Sequence, residues 1–198
     1  MISAGLLFFL LLCATPLLWG AVVYNRLVGL RNAFDNAFAQ IDVQLKRRHD
    51  LVPGLVEVAR RYLSHERQTL EAVVAARQGA SSARASAAAR PADRKAIARL
   101  DAAEGELDGA VGRLFAVVEA HPDLKADATL ARLTEELASS ENRIGFARQS
   151  YNDAATDYNV GVQRFPGNLV AGAFGFRSAR LLQSTRSQRE REPVPVTL

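Results

Sequence analysis

From Met1 to Asn25 the chain carries no Asp, Glu, Lys, Arg or His. No side chain there is ionisable near neutral pH except the thiol of Cys13. Ala4 to Tyr24 is about 21 residues, or roughly 31 Å as a helix, which matches a bilayer core of about 30 Å. A cleaved signal peptide requires a positive leader and a small-x-small site, whereas no Lys or Arg precedes this run and Leu18–Trp19–Gly20 is a poor site. Leu10–Leu11–Leu12 also lacks the small side chains that precede a lipidated Cys. Pro16 is tolerable in a membrane helix. Trp19 and Tyr24 suit an interfacial belt, and Arg26 and Arg31 follow at once. The expectation is a retained single-pass anchor over 1–25, with the short N-terminus outside and the body in the cytoplasm.

The remainder is charge-mixed. Lys and Arg number 25 against 21 Asp and Glu, interspersed along the chain, which is weak evidence for nucleic acid, and no nucleic-acid partner is expected. One Cys excludes a disulfide framework and a Cys-rich zinc module. Prolines at 53, 91, 122 and 166 divide the body into spans 26–52, 54–90, 92–121 and 123–165. Each span is rich in Ala, Leu, Glu and Arg and lacks the alternating β-branched runs of strands. The last span carries a heptad seam of Leu130, Leu133, Leu137, Ser140, Ile144, Ala147, Tyr151, Ala154, Tyr158, Gly161 and Phe165. Ile97, Leu100, Glu104, Leu107, Val111, Leu114 and Val118 repeat the rule with one polar exception. Leu27, Leu30, Phe34, Ala37 and Ile41 stripe the first span, broadened by Phe38 and Leu45. Amphipathic helices of this kind bury their stripes against one another. The predicted fold is all-α: an N-terminal transmembrane helix continuing into an antiparallel four-helix bundle over 26–165. Residues 79–91 read as a flexible crossover, 166–176 as an apolar Gly-rich segment and 177–198 as a disordered basic tail.

Several blocks carry a family resemblance. They are Tyr24–Leu27, Gln40–Val56, Glu141–Arg148, Tyr151–Asp153, Tyr158–Asn159 and Phe165–Phe176. From about Val22 to Phe176 the chain resembles LemA family proteins. The resemblance implies a membrane anchor and an all-α four-helix body in the bacterial inner membrane. It supplies no reaction. Genes for such proteins are often neighbours of those for membrane zinc metalloproteases or small membrane-associated domains, and a relative acts in magnetosome membrane formation. The partners this implies are the membrane itself and another membrane protein, with a membrane metalloprotease as one candidate and self-association as a further option.

Catalytic signals are lacking. None of the three histidines sits in HExxH, and no Asp or Glu has a His three residues later. No GxSxG or phosphate loop occurs. No catalytic, cofactor-binding or metal-binding residues and no cofactor are therefore expected. Lys46–Arg47–Arg48–His49 reads as a basic helix end, with Asp50 capping the next helix and Pro53 marking the break. Arg148, Asn152 and Asn159 lie at steps of four and seven on one face of the last helix, beside the seam. They read either as a hydrogen-bonded flank or as a partner-facing strip.

The segment 166–176 (PGNLVAGAFGF) is apolar and is followed by Arg177 and Arg180. If the chain reverses at Asp50–Pro53, the last helix returns toward the membrane. Leu169, Phe174 and Phe176 then join Trp19 and Tyr24 in contact with the bilayer, with Arg177 and Arg180 facing anionic lipid. If Pro53 only kinks one long helix, the segment lands at the far tip as a docking patch. Reversal is favoured, because four shorter helices bury more stripe.

Overall fold

The computed structural model describes the backbone of residues 4–182 and the side chains from Leu12 onward to Leu182. Those residues are all helical apart from turns and one extended segment. The elements are α1 (Ala4–Tyr62), α2 (Arg67–Ala89), α3 (Arg94–Glu119), the short α4 (Pro122–Lys125), α5 (Ala128–Gln163) and α6 (Gly167–Phe174). Over the described residues no helix is long and apolar enough to cross a membrane. The predicted span lies partly outside them, since the side chains of 6–11 are not described.

The chain does not reverse at Asp50–Pro53. α1 runs through both residues as one helix of 59 residues, about 88 Å long. A proline in a helix interior cannot donate to the carbonyl four residues back, so that of His49 loses its helical partner. Arg77 on α2 replaces it, its Nε donating to the His49 carbonyl at 2.9 Å. Asp50 caps nothing; it accepts from Lys46 Nζ one turn away at 3.0 Å. Arg77→Met is accordingly expected to destabilise the chain by about 1–3 kcal/mol. Hydrogen exchange should accelerate around residues 50–56, and unchanged exchange there would refute the substitution of one donor for another.

The reversal comes instead at residues 63–66, where Leu63 is buried and closes the last turn of α1 onto Ala59. Residues 79–89, read above as a flexible crossover, form the second half of α2. Alanine is the best helix former and no proline interrupts this stretch. Ala80 and Ala87 are fully buried, and Arg84 pairs with Asp42 of α1 at 2.7 Å. The true turn is residues 90–93, after which Asp93 caps α3 by accepting from the Lys95 amide. Asp127 caps α5 by accepting from the Thr129 and Leu130 amides, bonds that hold its carboxyl below the usual aspartate value.

Reversals at 63–66, 90–93 and 120–127 still number three, so α5 returns along α1. The pairing is antiparallel: Gly161 faces Leu27 and Leu30, Phe34 stacks on Tyr158 at 5.8 Å, Arg48 reaches Glu141, and Gly54 faces Leu133. The buried face of α5 follows the predicted seam from Leu130 to Tyr151, then continues through Ala155, Tyr158 and Val162. A straight helix of 3.6 residues per turn drifts from a 3.5-residue repeat, which shifts the buried face by one residue. Phe165, the last predicted seam residue, is consequently exposed.

Two apolar clusters make the core. One joins Leu27 to Leu45 of α1 with Ile144 to Val162 of α5 and the first turns of α3. The other joins Val52 to Leu63 with Leu70, Leu107, Leu114 and Leu130. Between Leu45 and Val52, α1 inserts Arg48 and His49, both buried.

Candidate functional site

Buried Arg48, His49 and Glu104 form one cluster with the partly exposed Asp108 and Glu141. Arg48 donates from Nη1 to Glu141 at 2.6 Å and from Nη2 to Glu104 at 2.7 Å, and Nη2 lies 2.8 Å from Asp108. His49 Nε2 lies 2.7 Å from the other Glu104 oxygen. Burial works against the charge on Arg48, but Glu104, Asp108 and Glu141 outweigh it and hold the guanidinium firmly protonated. One guanidinium thereby ties α1, α3 and α5 at a single level. Reading Arg48 as a helix-end base and His49 beside a cap missed this, because both assumed that α1 ends near Asp50. Glu104 was the available signal: a lone acid on an otherwise apolar stripe calls for a buried cation. Among the described residues no group of three His, Cys, Asp or Glu is placed to hold a metal ion.

The Tyr24 end of the molecule gathers the other features. Residues 167–174 form a helix because the segment has no proline after its first residue and ends on glycine. Gly175 adopts φ 73°, and the Phe176 amide closes back onto the Ala171 carbonyl. Gly167 packs so closely that a Cβ there would run into the Gly161 carbonyl oxygen. This seats α6 against α5, and α6 also packs against α1. Tyr24 packs on Phe174 with ring centroids 4.8 Å apart and on Phe176 at 5.7 Å. Leu169 and Phe174 remain 63% and 65% exposed, so α6 turns apolar side chains outward; Trp19 of α1 is 45% exposed. The structure thus brings together Tyr24, Phe174 and Phe176 without a reversal at Pro53; Leu169 is exposed on the same short helix, and Trp19 is exposed five residues before Tyr24 on α1.

The strip on α5 faces this chain's own C-terminal segment. Asn159 donates from Nδ2 to the Ala179 carbonyl at 3.0 Å and accepts the Ala179 amide at 2.6 Å. Asn152 does the same for Leu182, at 3.0 Å in both directions. Tyr151 adds a bond from its hydroxyl to the Arg180 carbonyl at 2.8 Å. Seven helical residues rise about 10.5 Å and three extended residues cover about 10 Å, so the two asparagines match an antiparallel extended strand. Ala179 and Leu182 are buried in the first core cluster. Residues 177–182 are therefore held in place, which corrects the reading of a disordered tail for that stretch; 183–198 lie outside the described residues. Arg148 is 7% exposed and presents no outward strip. Arg177 is exposed, whereas Arg180 is half-buried with its Nε enclosed.

Comparison with known proteins gives a match to the LemA family over residues 37–197, most of the chain. The chain belongs to the LemA family. Protein LemA of Metamycoplasma hominis is 24% identical over 165 residues, 83% of this chain and 71% of that relative. Magnetosome protein MamQ 2 of Paramagnetospirillum magneticum is 37% identical over 81 residues, 41% of this LemA chain. Magnetosome protein MamQ of Magnetospirillum gryphiswaldense is 33% identical over 75 residues. The match spans only 30% and 28% of the length of these two MamQ proteins.

Proposed function

We propose that this LemA protein is a non-catalytic, membrane-tethered helical scaffold of the bacterial inner membrane. The uncharged stretch at the start of α1 serves as its single anchor, and Arg26 and Arg31 favour a body in the cytoplasm. The long helices offer surface to another membrane protein, a metalloprotease being one candidate, or to a second copy. Family membership and the magnetosome relatives support a membrane role. The observation that carries the reading is the outward apolar face of α6 packed on Tyr24, at the same end as the uncharged part of α1. Proximity labelling from the α6 face in native membranes is expected to mark a specific membrane protein. Labelling of bulk cytoplasmic proteins alone would overturn the scaffold reading.

The same observation favours a second reading, in which α6 makes its own contact with the bilayer and Arg177 adds attraction to anionic headgroups. Inserting one exposed Phe or Leu is worth about 1.5–3 kcal/mol when burial is complete, enough for a half-exposed pair to hold the helix at the interface. The chain has one Trp, which makes the test clean. In Trp19→Phe plus Phe174→Trp, reconstituted in liposomes, brominated acyl chains are expected to quench the new indole. Adding Leu169→Ser should reduce that quenching. An indole unaffected by brominated lipid would mean that α6 faces water.

A further inference from the structure

Helices α3 and α5 do not approach each other closely; α1 packs on α5, and α3 on α2. Between α1, α3 and α5 this leaves a cleft of about 410 Å³. Its walls are Val52, Val111, Phe115 and Leu137, and one of its ends is formed by Arg48, Asp108 and Glu141. Thr134 also borders it, but its hydroxyl is turned back to the Leu130 carbonyl. Gly112 lines the cleft too, and a Cβ built on it would meet nothing within 4 Å. An apolar cavity of this size with a few convergent polar groups at one end has the build of a small-molecule site.

The charges choose the ligand. Both terminal nitrogens of Arg48 are already given to carboxylates, Nη1 to Glu141 and Nη2 to Glu104 and Asp108. An incoming anion would have to displace one of these and then sit among the remaining acids. A carboxylate can accept several hydrogen bonds, so an incoming ammonium adds to the existing pairs rather than breaking them. Asp108 and Glu141 are the reachable ones, at 33% and 46% exposed, with Glu104 enclosed behind them. We propose that the α1–α3–α5 cleft binds a small amphiphilic monocation, its apolar group between Val111, Phe115 and Leu137 and its ammonium against Asp108 and Glu141. The site does not depend on how the Tyr24 end meets the bilayer.

The probe is 4-phenylbutylamine, compared with the isosteric 4-phenylbutanol and 4-phenylbutanoate, on the full chain in zwitterionic bilayer discs. At about ten times its Kd the amine is expected to raise the Tm by ~3 °C. The alcohol should bind at least several-fold more weakly, and the carboxylate should give no shift. Gly112→Leu fills the cleft from a position with free space around it and should abolish the shift, while Gly105→Leu, exposed on the same helix, should retain it. Asp108→Asn should erase the preference of amine over alcohol. Absence of any shift, equal shifts with amine and alcohol, or a full shift in Gly112→Leu would each overturn the proposal. Ligand-observed NMR on the same samples keeps the test open should a variant unfold.

Discussion

Arg48→Met is expected to destabilise the chain by about 3–5 kcal/mol. Removing the guanidinium leaves Glu104, 3% exposed, buried with His49 as its remaining partner. Asp108 and Glu141 have partial access to water and can rehydrate, so most of the penalty belongs to Glu104. That asymmetry sets the second half of the expectation. Arg48→Met combined with Glu104→Leu and His49→Leu removes the stranded charge together with the imidazole that Glu104 holds and should recover most of the loss, because a buried ion pair often does no better than an apolar pair of similar volume. Urea unfolding followed by the loss of helical circular dichroism measures both variants. A combined variant as unstable as Arg48→Met alone would show that the layer does more than satisfy its own charges. The position of the cluster suggests what it does contribute. It lies between two apolar clusters whose stripes are largely Leu, Ala and Val. Such stripes can slide by a turn, whereas one guanidinium shared among α1, α3 and α5 is satisfied in one register only.

How much of this was legible in the sequence follows from which physics is local. Helical class, the stripes on α1 and α3, and the α5 seam as far as Tyr151 depend on periodicity within one element. All of these were readable. The first break is misplaced because Pro53 is judged by its local effect, whereas the break before Pro122 stands where the sequence puts it. The cost of a proline in a helix is a freed carbonyl, and Arg77, distant in sequence, takes up that carbonyl. The Ala-rich run 79–89 was similarly ambiguous, since small residues suit a crossover and a close helix contact equally; Ala80 and Ala87 lie against neighbours. The site followed the same rule. Tyr24 and Phe174 were expected at one end on the strength of an incorrect turn, and the correct number of turns delivered them there. The asparagines were recognised as a face, but the partner was this chain's own backbone. Backbone acceptors and donors carry no sequence signature, so nothing in residues 177–182 announced them.

That backbone recognition yields the second large effect. Asn152→Ala with Asn159→Ala removes four hydrogen bonds between α5 and residues 179 and 182. At about 1 kcal/mol net for each, the docked segment should lose roughly 4 kcal/mol and come away from α5, exposing the Tyr151 hydroxyl and the seats of Ala179 and Leu182. The loss is local, because α1, α5 and the distal core cluster keep their contacts. Hydrogen exchange is therefore the right measurement: the Ala179 and Leu182 amides should become unprotected while α5 interior amides stay slow. An isosteric change tests the geometry more sharply. Asn159→Asp keeps an oxygen to accept the Ala179 amide but replaces the Nδ2 donor with a second oxygen, aimed at the Ala179 carbonyl 3.0 Å away. Two acceptors with no proton between them repel, so Asp should release the segment at least as much as Ala despite its closer shape. If Asn159→Asp held the segment better than Asn159→Ala, the bond from Nδ2 to the carbonyl would carry no weight and α6 would have to be kept in place by its apolar contacts alone. The expected outcome makes the two asparagines the clamp that fixes the chain following α6, and with it the orientation of the apolar face around Phe174.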